Sequence, residues 1–252
     1  GDDTINGNAG NDILRGGLDV DTINGGDGDD IISADECYDF FDIPFDDITT
    51  ACGVATFGGQ DLNGGSGNDT IYGEGGGDAI ILGGSGNDKI YIVSGMSSLA
   101  YADGEDGDDV LLNNTNNGGD SKLRGGNGDD LLHGGVGKDI LTGGSGADKF
   151  VIKSGEGSGN LDNVSIVTDF KDNLDKILLV GGLAYSDLTI VDPSSEQRSQ
   201  YPDALEGASK IIFEINGGAQ YLLIVKQDRD ASISEPDLVL DSNDFETGGE
   251  IR

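Results

Sequence analysis

The sequence predicts an all-β solenoid, in which short strands stack coil upon coil, and three observations support this fold class. A nine-residue pattern recurs through residues 1–151, glycine accounts for 45 of the 252 residues, and one apolar residue recurs at a fixed place in each repeat. Internal periodicity of this kind indicates successive supersecondary units that bury their apolar faces only by stacking.

The repeat reads Gly-Gly-x-Gly-x-Asp-x-apolar-x. Glycine tolerates positive φ and close backbone approach, so the first six residues form a tight turn and the last three form a minimal strand. Clear and weaker copies begin at Gly7, Gly16, Gly25, Gly64, Gly73, Gly83, Gly104, Gly125, Gly134 and Gly143, and the chain opens on the tail of another at Asp3-Thr4-Ile5.

The eighth residue of each repeat is predicted to point inward, because successive side chains of a strand alternate between two faces. No single turn can bury its apolar residue alone, so the core must be a stack built from successive coils. The predicted stack consists of Ile5, Leu14, Ile23, Ile32, Ile71, Ile80, Ile90, Leu111, Leu132, Leu141 and Phe150.

The charge of the chain indicates what the turns bind. With 14 Lys+Arg against 48 Asp+Glu, the formal net charge of −34 disfavours nucleic acid and anionic membranes as partners. No apolar run is long enough for a transmembrane segment. Stacked turns would place like charges in a column unless a cation lay between them. Each sixth position supplies a carboxylate, from Asp3, Asp12, Asp21, Asp30, Asp69, Asp78, Asp88, Asp109, Asp130, Asp139 and Asp148.

Calcium suits such turns better than magnesium does. Calcium accepts about six to eight oxygens, carbonyls included, in tolerant geometry, whereas magnesium requires a tight octahedron and retains its waters. One turn cannot complete the coordination sphere, but two stacked turns can. The sequence therefore predicts several bound calcium ions.

These nonapeptides resemble the RTX family of calcium-binding repeat proteins. The resemblance implies a right-handed parallel β-roll, with two repeats in each coil and calcium between turns on the same side of neighbouring coils. It also implies that the second and fourth residues bind calcium through carbonyls and the sixth through its carboxylate. The implied carbonyl ligands are Gly10, Gly17, Gly26, Gly28, Gly65, Gly67, Gly76, Gly84, Gly86, Gly107, Gly126, Gly128, Gly135, Gly137, Gly144 and Gly146.

Several turns depart from the family pattern. Asp19 replaces a fourth-position glycine, and Gln60 and Ser121 stand where the sixth-position aspartate belongs, which weakens the case for calcium beside those two. The second-position glycine is replaced by Asn8, Glu74 and Glu105.

The residues after the last repeat resemble the segment that closes RTX rolls, on the motifs Val167-Thr168-Asp169-Phe170 and Asp175-Lys176-Ile177. The stretch from Gly182 to Ile190 is most similar to cyanobacterial versions. Two apolar strands at 210–215 and 221–225 flank Asn216-Gly217-Gly218, which predicts a hairpin and hence an antiparallel cap over the last coil. The predicted organisation is a first roll block at 1–33, an inserted loop at 34–57, a second roll block at 58–151 and a cap at 152–252.

The inserted loop contains both cysteines, Cys37 and Cys52. Their close spacing, away from histidine, predicts a local disulfide rather than a zinc site and indicates an oxidising compartment. We interpret the loop as an extruded segment whose aromatic residues pack on the roll, with a partner-binding site as the alternative. The lone His133 is predicted to be an exposed surface side chain.

No catalytic motif is recognisable, so we do not predict an enzyme. The main hypothesis is a structural calcium-binding module of a secreted or cell-surface protein. The resemblance implies type I secretion, folding on extracellular calcium, and a variant that assembles into a surface layer, filament or adhesin by self-association or on surface polysaccharide. The alternative is the non-catalytic tail of a secreted protease, lipase or alginate epimerase, which a catalytic motif upstream of Gly1 would establish. A polysaccharide- or ice-binding module is disfavoured because the outward residues are mixed.

Overall fold

The computed structural model describes residues 1–17, 19–34, 59–73, 79–92, 100–113, 119–208, 210–214, 220–227 and 240–248. Over these residues the chain alternates between two sheets of mainly parallel strands, which share one apolar core. The predicted all-β roll is confirmed.

The strands fall into the two sheets by parity along the repeats. The first sheet contains β1 (Thr4–Ala9), β3 (Thr22–Asp27), β5 (Asp61–Ser66), β7 (Ile80–Ser85), β9 (Ala100–Asp106), β11 (Ser121–Asn127), β13 (Ile140–Ser145), β15 (Ile166–Phe170), β19 (Gln220–Gln227), β18 (Lys210–Glu214) and β17 (Leu188–Val191), in that order. The second sheet contains β2 (Ile13–Arg15), β4 (Ile31–Ser33), β6 (Thr70–Gly73), β8 (Lys89–Ile92), β10 (Val110–Asn113), β12 (Leu131–His133), β14 (Lys149–Lys153), β16 (Lys176–Val180) and β20 (Phe245–Thr247).

Each coil has two connections, which form two edges of the roll. The first edge comprises the turns that lead from the first sheet to the second, at residues 7–12, 25–30, 64–69, 83–88, 104–109, 125–130, 143–148 and 169–175. The second edge comprises the connections that lead back to the first sheet. Residues in register with the sixth-position aspartate along the second edge are Asp3, Asp21, Gln60, Ala79, Ala100, Ser121, Asp139 and Ser165.

The core is the predicted stack of eighth-position residues, with one correction. Ile23, Ile32, Ile71, Ile90, Leu111, Leu132, Leu141 and Phe150 are buried, and Ile5 and Leu14 pack against them at the first coil. The prediction for Ile80 is wrong: its side chain is 47% exposed, whereas Ile81 is fully buried.

The register around Ile81 is set by the turn that follows it. Ile81 pairs with Leu62 and lies two residues before Gly83, as Leu62 lies two before Gly64. Because strand side chains alternate, this one-residue slip turns Ile80 outward. Ala79 therefore occupies the sixth position of this turn, while Gly76 and Asp78, like Glu74, lie outside the described residues.

The predicted antiparallel cap is confirmed and is continuous with the roll. β17 pairs with β18 and β18 with β19, both antiparallel, while β19 joins β15 in parallel and so extends the first sheet. A second apolar cluster includes Ala204 and Leu205 of α2 (Pro202–Leu205), and Ser194 caps the preceding helix α1 (Ser195–Gln200). The described residues of the cap also form 3-10 turns at Leu161–Asn163, Tyr185–Asp187 and Ser242–Asp244.

His133 is buried, contrary to prediction. Its Nε2 lies 2.8 Å from Oε2 of Glu156, because the segment after β14 folds back over the end of β12. Cys37 and Cys52 lie outside the described residues, so their predicted disulfide stays a prediction.

Candidate metal-binding edge

An unbroken aspartate ladder runs along the first edge. In each turn the main-chain N–H of the sixth-position aspartate donates to Oδ1 of the corresponding aspartate in the next coil. The donor and acceptor pairs are Asp12 to Asp30 (2.7 Å), Asp30 to Asp69 (2.6 Å), Asp69 to Asp88 (2.7 Å), Asp88 to Asp109 (2.7 Å), Asp109 to Asp130 (2.8 Å), Asp130 to Asp148 (3.1 Å) and Asp148 to Asp175 (3.0 Å). The ladder fixes one oxygen of each carboxylate and leaves the other available.

The second oxygen of these carboxylates is buried and accepts no hydrogen bond from the described residues. It lies against the first-position glycine of its own turn: a Cβ built on Gly125 would stand 2.2 Å from Oδ2 of Asp130. Leaving a buried charged oxygen without a partner is costly, and this arrangement is repeated coil after coil. The oxygens concerned are Oδ2 of Asp12, Asp30, Asp69, Asp88, Asp109, Asp130 and Asp148.

Backbone carbonyls of the same turns point along the roll axis toward the next coil. A Cβ on Gly65 would stand 2.2 Å from the carbonyl oxygen of Gly26, and one on Gly67 would stand 2.1 Å from that of Gly28. Both glycines have positive φ, 105° and 133°. Glycine is therefore favoured at the second and fourth positions, which bring carbonyl oxygens close to the next turn, although Asn8 and Glu105 occupy the second position of their turns with φ of 77° and 72°.

Burial raises the pKa of the ladder carboxyls from Asp69 to Asp175 above their usual range. Desolvation is the main cause, opposed by the ladder hydrogen bonds and reinforced by neighbouring carboxylates. The pKa reaches about 6 at Asp69 and Asp109 and about 7 at Asp88 and Asp130. These groups resist ionisation unless positive charge accompanies it.

A second ladder, outside the first, runs through the fifth positions. Here the main-chain N–H of each coil donates to Oδ1 of the preceding coil, the opposite direction to the inner ladder. The pairs are Asp29 to Asn11 (3.1 Å), Asn68 to Asp29 (2.7 Å), Asn87 to Asn68 (2.7 Å), Asp108 to Asn87 (3.0 Å), Asp129 to Asp108 (2.9 Å) and Ala147 to Asp129 (2.8 Å). Sequence reasoning missed this ladder, although Asn or Asp before every ladder aspartate from Asp12 to Asp130 was a visible signal.

The second edge lacks this arrangement beyond its first coils. Asp21 resembles the first edge, since its Oδ1 accepts from the N–H of Asp3 (2.8 Å) and its Oδ2 is buried without a described donor. The next sixth positions are Gln60, Ala79, Ala100 and Ser121, which supply no carboxylate.

Asp139 returns a carboxylate to the second edge but in a different environment. Its Oδ1 accepts from the main chain (2.9 Å) and hydroxyl (2.6 Å) of Ser121 and from the amide of Asn113 (3.3 Å), while its Oδ2 accepts from the hydroxyl of Ser165 (3.1 Å). Burial raises the pKa of Asp139 to about 6, although these hydrogen bonds oppose the rise. Both oxygens are satisfied by protein donors.

The donor set on the first edge fits calcium. Among the described residues, no group of three or more His, Cys, Asp or Glu side chains could hold a metal ion, so a cation here depends on main-chain carbonyls as well. Carboxylate oxygens combined with carbonyls in a flexible number are the ligands that calcium prefers. Among the sequence-predicted ligands, the structure brings together those of the first edge, and Asp175 extends their ladder by one turn.

The fold and the ladder define a parallel β-roll whose turns present oxygen ligands. A comparison with protein-family models matches the RTX calcium-binding nonapeptide repeat in four copies, over residues 1–35, 54–90 and 115–150. These residues are therefore RTX calcium-binding repeats, and they support the interpretation of the roll as a calcium-binding module. A search of curated proteins finds no match.

Proposed function

We propose that this chain is the calcium-dependent structural module of a secreted protein, and that calcium binds in a column along the first edge. The observation that carries the proposal is the row of buried Oδ2 oxygens without donors, one in each turn from Asp12 to Asp148. A cation between successive turns would compensate each buried charge, whereas no described residue donates a hydrogen bond to these Oδ2 oxygens.

The proposed ligands are the ladder carboxylates together with second- and fourth-position carbonyls. Gly126, Gly128 and Asp130 form one such set, and Gly144, Gly146 and Asp148 form another. We place a further ion between Asp3 and Asp21, where the second edge has the same geometry. Beyond Asp21 the residues of the second edge favour stability without metal, since Asp139 already has protein donors on both oxygens.

Calcium binding and folding are coupled in this proposal. The chain carries a formal net charge of −34, and buried ladder carboxyls such as Asp88 and Asp130 have raised pKa values in the metal-free roll. Free energy of metal binding therefore becomes free energy of folding. A chain that folds only on calcium suits export unfolded from a low-calcium cytoplasm, followed by folding outside the cell. No helix among the described residues is long and apolar enough to cross a bilayer.

The test is a calcium titration of chelator-treated protein followed by far-UV circular dichroism, with magnesium as the matched control. We expect a coil-to-β transition with calcium and none with magnesium at the same concentration, because the ligand set is irregular and rich in carbonyls. An unchanged β signal in excess chelator would contradict the coupling of folding to calcium.

A further inference from the structure

The first edge ends at a turn that differs from the turns before it. Ile140 pairs with Ile166 ahead of this turn, and Lys149 pairs with Lys176 after it, so residues 169–175 contain one residue more than the preceding turn. The turn has no glycine, although every other turn of the first edge is rich in it. The geometry that presents carbonyls to a following coil is therefore not repeated here.

The terminal turn nevertheless continues the inner ladder. Oδ1 of Asp175 accepts from the N–H of Asp148, as in the coils above. Its Oδ2, however, accepts from the main-chain N–H of Lys171 at 2.7 Å, unlike the unpaired Oδ2 oxygens of the preceding turns. The last carboxylate of the ladder is thus satisfied by its own turn.

Lys171 also carries a positive charge into the interval between turns 143–148 and 169–175. Its ammonium group donates to the carbonyl oxygen of Gly144, which is a second-position residue of the preceding turn. The carboxylate of Asp169 accepts from the main-chain N–H groups of Gly143 (3.0 Å) and Gly144 (2.8 Å). Side chains of the terminal turn therefore contact both the amide and the carbonyl of Gly144.

The electrostatic surroundings of the last two ladder turns differ accordingly. The pKa of Asp130 is raised by burial and by the carboxylates of Asp109 and Asp148. Burial also raises the pKa of Asp148, but the positive charge of Lys171 opposes it, against the smaller repulsion of Asp169 and Asp129. A protein cation thus acts on Asp148, whereas the neighbouring charges that act on Asp130 are carboxylates.

We propose that the ammonium group of Lys171 takes the place of a calcium ion in the interval between turns 143–148 and 169–175, and so ends the calcium column. The inference rests on the proposed function. A lysine ammonium is a compact positive charge with three donors on a flexible stem, which suits a position beside the Gly144 carbonyl and within electrostatic range of Asp148. Because this cation is covalently tethered, the junction between roll and cap is compensated before any calcium binds.

Counting bound calcium tests the inference. At saturating calcium, equilibrium dialysis with elemental analysis is expected to show one more ion per chain in Lys171→Met than in the wild type, because the vacated carbonyl and the unpaired Oδ2 of Asp148 become available. Lys171→Arg keeps the charge and is expected to bind the wild-type number. Lys149→Met is the matched control, since the Lys149 ammonium pairs with the carboxylate of Glu246 at 2.9 Å and both side chains are exposed.

An unchanged count in Lys171→Met overturns the inference while leaving the proposed function intact, whereas a wild-type chain that binds no calcium overturns the proposed function itself. If Lys171→Met does not fold, a crystal structure of the wild type with calcium decides the question by anomalous scattering. Ions between the turns from 7–12 to 143–148, with none beside Lys171, support the inference. An ion in the last interval contradicts it.

Discussion

Along the first edge, each turn from 7–12 to 143–148 has six residues and ends in aspartate, whereas the connections of the second edge vary in length and in their final residue. The strands before and after each of these turns pair with the next coil at the same sequence separation. Before turn 25–30, Thr22 pairs with Asp61, and after it Ile31 pairs with Thr70, which lies equally far along the chain. All length changes between β1 and β14 therefore fall on the second edge.

This difference teaches what the repeat needs at each edge. In the proposed function two stacked turns of the first edge share a cation, so a turn that changed length would misplace its carbonyls and its carboxylate together. Around Asp139 the second edge holds its register by direct hydrogen bonds from Ser121 and Ser165, and its connections vary in length. On this proposal the same nonapeptide motif serves an edge that depends on metal throughout and an edge that depends on it only at the first coils.

The largest expected effect is the pH dependence of the metal-free roll, because it involves several ladder carboxyls at once. The folded-state pKa values of Asp88 and Asp130 are about 7, against an ordinary value of 3.8. Between these values the folded state binds more protons than the unfolded state, so its stability falls as pH rises. In chelator we expect more β structure by circular dichroism at about pH 5 than at about pH 8.

Calcium reverses the direction of this pH dependence, because calcium ions and protons compete for the same carboxylates. The calcium midpoint is expected to fall as pH rises through about 7. Asp88→Asn should flatten the pH dependence in chelator more than Asp61→Asn, which removes an exposed charge of the same sign. An equal β signal at both pH values in chelator would contradict the raised pKa values of the ladder carboxyls.

A single carboxylate of the first edge should have a smaller but specific effect on calcium. Asp109→Asn keeps the Oδ1 that accepts from Asp88 and removes the charge. Loss of groups that merely support a metal ligand costs about 10–100-fold in affinity, so we expect the calcium midpoint for folding to rise at least about tenfold. The calcium affinity from isothermal titration calorimetry and the calcium midpoint for folding should change together. A midpoint within twofold of the wild-type value would contradict the prediction.

The corresponding change on the second edge should act on stability instead. Asp139→Asn removes a charged acceptor shared by Ser121 and Ser165, and hydrogen bonds to charged groups contribute about 1.5–3 kcal/mol each. We expect the free energy of unfolding at saturating calcium to fall by about 2 kcal/mol, with the number of bound ions unchanged. Urea denaturation and calcium counting measure the two quantities, and a lost ion would show that this edge also binds metal.

How far the sequence predicts these edges depends on which residues set the register. The nonapeptide predicted a stack of β coils, its apolar core and a row of sixth-position aspartates, since each follows from local turn and strand rules, whereas the parallel β-roll was implied by the resemblance to the RTX family. Ile80 was misplaced because the one-residue extension of its turn shows only when residues are counted back from Gly83.

The hydrogen-bond partners of Asp139 could not be predicted from the sequence. It matches the motif perfectly, yet its partners Asn113, Ser121 and Ser165 come from segments of differing length, and only the coil register brings them together. Lys171 was missed for a similar reason: it lies outside the repeat, and its contact with Gly144 depends on the longer terminal turn.

The smallest expected effect concerns the second position of a first-edge turn. Glu105 stands there with a φ of 72°, a left-handed conformation that costs a non-glycine residue about 1–3 kcal/mol. Glycine removes this strain but adds about 0.4–1 kcal/mol of unfolded-state entropy, so Glu105→Gly should raise the free energy of unfolding by about 1 kcal/mol. Glu105→Ala, which removes the carboxylate and keeps the Cβ, is the control. Since the carbonyl is the proposed ligand at this position, calcium binding should be unchanged in both variants; a lower calcium count would instead make the Glu105 carboxylate a ligand.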